Sequence, residues 1–269
     1  MSAAHRHVIT FLLATLIALA WLVLWFWGQS PYGRYLHHGG LGSLNADSAL
    51  CRAFAPGPFR ELILPFMLSI LGWAVMVVAM MVPNTIPLIL VFRRVSEARR
   101  DGAFLLSVLL IGYLAAWVLF VLVVYLVDWL TFRQLLASDW IIRNGWLIAA
   151  ASLLAAGLFQ FSALKYRCLD KCRSPIAFVM QHWRGRAHAW YAFLLGVRHG
   201  AFCVGCCWAL MLLMFTIGSG SLGWMLILGA FMAIEKNMPW GAKIGRPIGL
   251  ALIAWSSAIV IANFTAPGT

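Results

Sequence analysis

Five of the chain's six cysteines fall between positions 168 and 207: Cys168, Cys172, Cys203, Cys206 and Cys207. His199 stands just ahead of the last three. On a helix turning about 100° per residue, with His199 at zero, Cys206 falls at about −20°, Cys203 at about 40° and Cys207 at about 80°. One imidazole and three thiols therefore share a single face over roughly two turns, and Met214 joins them near 60°. One rigid helix seldom delivers all of these to one ion, so Cys168 and Cys172, spaced C-x3-C, are candidates for the missing ligands. Thiolate, thioether and imidazole together favour copper(I) over zinc or an iron–sulfur cluster. Arg198, Lys165, Arg167, Lys171 and Arg173 would supply the positive field that favours thiolates.

The elements that must position these residues are membrane helices. Of 269 residues, 63% are hydrophobic and only 10% charged, with a mean hydropathy of +0.90. A soluble domain carries roughly 25% charged residues, so a soluble fold is excluded. The expected fold is all-α: one transmembrane helical domain over 1–269, a polytopic bundle of about seven spans. Unbroken apolar stretches place them at 8–27, 62–82 (or on to 92), 103–127, 145–164, 189–217, 221–236 and 244–263. In the fifth, 189–198 reads as an interfacial lead-in. With the N-terminus inside, the cytosolic segments hold fourteen Lys and Arg, Lys165, Lys236, Lys243 and Arg246 among them, against five outside. That asymmetry obeys the positive-inside rule. The net charge of +12 then reports orientation in a lipid bilayer, and no nucleic-acid partner is expected. Two sizeable loops remain: 28–61 outside, rich in Gly and Pro, and the basic loop 165–188 in the cytosol, which carries Cys168 and Cys172.

On the cytosolic side thiols stay reduced, which argues against structural disulfides and for metal or redox chemistry. Arg198 and Glu235 are the ionisable residues at span depth; they are expected to form an ion pair, or Glu235 to orient His199, or both to snorkel to the headgroups. Met76, Met80 and Met81 precede Pro83, which kinks or ends the second span, so thioethers on a broken helix are candidates for a copper(I) relay. His37, His38 and Cys51 are weaker candidates for capture of metal from outside.

These residues resemble the DUF2182 family, described as predicted metal-binding integral membrane proteins. The likeness rests on Trp73 with Met80-Met81-Val82-Pro83, on Leu164-Lys165-x2-Cys168-x3-Cys172-Arg173-Ser174-Pro175, on Gly196-x-Arg198-His199-Gly200-x2-Cys203-x2-Cys206-Cys207-Trp208, and on Glu235-Lys236. It covers about 60–265. The resemblance implies a multi-pass protein of a bacterial inner membrane and supports the metal reading.

The leading expectation is a protein that binds copper(I) at the cytosolic end of the bundle for transport, storage or delivery, with a metal-donating or metal-receiving protein as partner. No G-x4-G-K-[ST] string is present, so any transport is passive or gradient-coupled. No G-x-S-x-G or H-E-x-x-H occurs, and an enzyme is the less expected reading. Two alternatives stay open: a thiol redox protein working through the C-x-x-C of Cys203 and Cys206, and a scaffold subunit with a structural zinc.

Overall fold

The computed structural model describes residues 3–29, 59–96, 100–135, 144–183, 189–217 and 222–265. Among these there are ten α-helices and no strand. In chain order they are α1 (Ala3–Gln29), α2 (Phe59–Met81), α3 (Ile86–Ser96), α4 (Gly102–Leu135), α5 (Gly145–Phe159), α6 (Ala163–Arg173), α7 (Pro175–His182), α8 (Ala189–Ile217), α9 (Leu222–Asn237) and α10 (Gly245–Thr265). The expected helical bundle is thus observed. His37, His38 and Cys51 lie outside the described residues.

Among the described residues, four segments are long and apolar enough to cross a membrane: Phe11–Gln29, Gly102–Val127, Ala189–Met214 and Gly241–Thr265. Two bent pairs bring the number to six: Ile70–Met81 with Pro83–Ser96, bent by 47°, and Gly145–Phe159 with Ala163–Arg173, bent by 62°. The remaining expected span, 221–236, the sixth in chain order, is the 16-residue α9. At 1.5 Å per residue it measures about 24 Å, short of a hydrocarbon core about 30 Å thick. Pro83 ends α2 as expected and opens a single 3-10 turn, Pro83–Thr85. The stretch read as a cytosolic loop, 165–188, is instead helical over α6 and α7, the first started by a side-chain cap and the second by a proline. The Ser162 hydroxyl accepts from the Lys165 amide at 3.1 Å, and Pro175 stands in the first turn of α7. No break separates a lead-in from the rest of α8, which is one helix of 29 residues.

Glycines let the helices close. A Cβ at Gly112 of α4 would strike the Phe193 carbonyl oxygen, one at Gly196 of α8 the Leu109 carbonyl oxygen, and one at Gly200 would come 2.7 Å from Ala116 Cβ. Gly196 and Gly200, four residues apart, form the small-xxx-small pattern that brings membrane helices together. The α5–α10 contact works the same way: a Cβ at Gly157 would lie 2.7 Å from Ile253 Cγ1, and the Ser256 hydroxyl donates to the Ala150 carbonyl at 2.7 Å. The outer faces of α1, α4 and α10 leave large apolar side chains uncovered, including Phe11, Phe26, Leu119, Leu126, Ile261 and Phe264. An apolar exterior of this extent suits hydrocarbon as its solvent.

Candidate metal centre

The site is built on α8. Its Cys203, Cys206 and Cys207 are all buried, and each is met by a different helix. Cys206 has Cys172, on α6, as a neighbour in the same buried cluster. Cys207 Sγ stands 4.0 Å from the Met81 thioether of α2, and the Tyr113 hydroxyl of α4 lies 3.2 Å from Cys203 Sγ. From the end of α9, Lys236 Nζ donates to Cys203 Sγ at 2.9 Å and reaches Cys207 Sγ at 4.0 Å. Cys206 and Cys207 also donate back to the Cys203 carbonyl, at 3.1 and 2.8 Å. The approach of α6 to α8 depends on Gly205, where a Cβ would come 2.7 Å from Cys168 Sγ. Cys168 therefore flanks the cluster, against Gly205, while Cys172, one turn further along α6, enters it.

His199 lies one turn before Cys203 and is 2% exposed. Its ring sits between those of Tyr113 and Phe178, with centroids 6.1 and 5.3 Å away, and its Nδ1 has no hydrogen-bond partner among the described residues. Met76, Met80 and Met81 are buried together on α2. Of the three, Met81 reaches the thiols; Asn84 holds the broken helix end beside it, donating to the Met80 carbonyl at 3.0 Å and approaching Met81 Sδ at 3.8 Å. Met80 packs toward Gly229 of α9.

The expected pairing of Arg198 with Glu235 is not made. Arg198 is exposed, beside a cavity of about 230 Å³ that His182 and Tyr191 also line, whereas Glu235 is 1% exposed. Glu235 pairs with Lys165, which is wholly buried and also donates to the Gln160 side chain. Nor does Glu235 bond His199. Arg173 closes this polar chamber, donating to the Glu235 carbonyl at 2.6 Å and the Pro239 carbonyl at 2.8 Å. Gly245 leaves room for the pair, since a Cβ there would lie 3.0 Å from Glu235 Oε1. Lys165 and Arg173 are thus committed elsewhere, and the cation that faces the thiols is Lys236, which the charge count assigned to the cytosol.

Lys236 and Tyr113 were not singled out as site residues from the sequence. A signal for Lys236 was present: neighbours on a helix point about 100° apart, so Glu235 and Lys236 cannot satisfy each other and each needs its own partner. Nothing local distinguishes Tyr113 within its apolar run.

Among the described residues no three His, Cys, Asp or Glu side chains stand as a formed metal cage. The donor chemistry nevertheless fits a soft ion: four converging thiols, a thioether and an imidazole nitrogen with no partner, all shielded from solvent. The fold and this cluster define a helical bundle of membrane-spanning composition with buried soft donors at its centre. Residues 70–259 match the family model of the copper chaperones (PpoB2), and the chain belongs to that family. The matched stretch contains Met81, Tyr113, Cys172, Cys203, Cys206, Cys207 and Lys236. No curated protein and no solved structure matches the chain.

Proposed function

We propose that the chain binds copper(I) at the cytosolic end of its bundle, in a bacterial inner membrane, and exchanges it with a partner protein. Cys172, Cys203, Cys206 and Cys207 are the principal ligands on this reading, with Met81 and His199 as flanking donors and Cys168 within a turn. The observation that carries it is the packing of α6 on α8 at Gly205, which gathers Cys168 and Cys172 with Cys203, Cys206 and Cys207 in one buried cluster. Copper(I) is favoured because sulfur outnumbers nitrogen in the donor set and no carboxylate enters it. Met76 and Met80, buried behind Met81, extend the thioethers along α2 as a relay. Family membership supports copper as the cargo.

Elemental analysis of detergent-purified protein under reducing conditions tests this reading. Stoichiometric copper is expected, lost in Cys203→Ala and Cys206→Ala; metal-free protein with fully reactive thiols would refute it. Stoichiometric zinc in place of copper would favour a structural-zinc scaffold. The nearness of Cys172 to Cys206 also favours a second reading, thiol exchange through the Cys203/Cys206 C-x-x-C. That reading requires a mixed disulfide to be trapped at Cys203 or Cys206 when the other is replaced.

A further inference from the structure

We infer that Lys236 is a tethered cation that keeps the thiol cluster closed in the copper-free protein and is exchanged for incoming copper(I). The inference rests on the copper(I) reading above and adds how the site is kept and opened. Lys236 is 6% exposed, and among the described residues its side-chain hydrogen-bond partners are two sulfurs, Cys203 Sγ at 2.9 Å and Cys207 Sγ at 4.0 Å. The adjacent carboxylate is no help, because Glu235 is paired with Lys165. A buried ammonium is costly unless well partnered, and sulfur is a weak acceptor. A Met of similar length would fill the same space without that cost, so packing does not account for a lysine here.

The place it occupies does. The ammonium stands against both Cys203 and Cys207, in the place of an ion shared by the two sulfurs. A way out exists. Burial changes to exposure within one residue: Lys236 is buried, whereas Asn237, Met238, Pro239 and Trp240 are exposed. A four-carbon stem at the last turn of α9 can carry its ammonium to that surface while its methylenes stay covered. The exchange also balances. The contact of Nζ with Cys203 Sγ breaks, a bond from that sulfur, as thiolate, to copper(I) forms, any further thiol that binds the ion releases its proton to the buffer, and no electron is transferred.

The test uses the full-length protein in detergent under reducing conditions. Amine labelling of the wild type, read by mass spectrometry on the peptide containing Lys236, should rise at least about tenfold when copper(I) is added; equal labelling with and without copper would overturn the inference. In copper-free protein, Lys236→Met should raise the alkylation rate of Cys203. Chelator competition should show Lys236→Met holding copper(I) about tenfold more tightly than wild type, because the competing cation is gone. Weaker binding by Lys236→Met would mark the lysine as a resident counter-ion and overturn the exchange. Wild-type protein that takes up no copper would instead overturn the copper reading itself. The labelling arm needs no variant, so misfolding of Lys236→Met does not remove the test.

Discussion

Gly205→Ala isolates the contact on which the cluster depends. The added Cβ would stand 2.7 Å from Cys168 Sγ and 3.5 Å from Cys168 Cβ. Carbon contacts are optimal at about 3.5–4.0 Å, so α6 and α8 must part by about 1 Å or Cys168 must leave its rotamer. Overpacking of this kind costs about 1–3 kcal/mol, offset in part by the gain of about 0.5–1 kcal/mol when Ala replaces a helical Gly. Cys172 rides on the same face of α6 one turn away, so the displacement should also draw it away from Cys206. Copper(I) affinity should then fall about tenfold, or about 1.4 kcal/mol. The clash is with the sulfur and not with Cys168 Cβ, so the sign of the stability change should reverse in a Cys168→Ala background. There Gly205→Ala has only its helix-propensity gain and should stabilise by about 0.5–1 kcal/mol. Thermal unfolding of the four proteins of this cycle, with chelator competition on the copper-loaded forms, reads both effects. Additive changes, or an unaltered affinity in Gly205→Ala, would refute the reasoning.

Either Lys165→Met or Glu235→Gln leaves one buried charge without its partner and should cost about 3–5 kcal/mol, while the double variant recovers most of it. Thermal unfolding in detergent distinguishes this from a surface pair, whose loss would leave the midpoint almost unchanged. Gly196→Ala drives a Cβ into the Leu109 carbonyl and forces α4 from α8, at a cost of about 3 kcal/mol. Its folded yield by size-exclusion chromatography should drop, whereas Gly28→Ala, with nothing within 4 Å of the added atom, should match wild type.

The apolar runs determine the helices, because a backbone in or beside hydrocarbon must satisfy its own hydrogen bonds and a helix does so locally. The stretches 8–27, 103–127 and 244–263 correspond to α1, α4 and α10, the stretch 145–164 holds α5 only as far as Phe159 before the bend into α6, and Pro83 breaks its span for want of an amide hydrogen. Helical periodicity likewise puts Cys203, Cys206 and Cys207 on one face, since that arc is a property of a single element. What lies across from that face is not local. Helix separation and rotation follow from where Gly112, Gly196, Gly200 and Gly205 permit contact, and these decide that Cys172 neighbours Cys206 while Cys168 stops against glycine. The same packing turns Lys165 toward Glu235 and Lys236 toward the thiols, and leaves Arg198 exposed. Counting charges along a chain treats a lysine near a helix end as facing water; only the neighbouring helices determine whether it is covered, and therefore what it must bind.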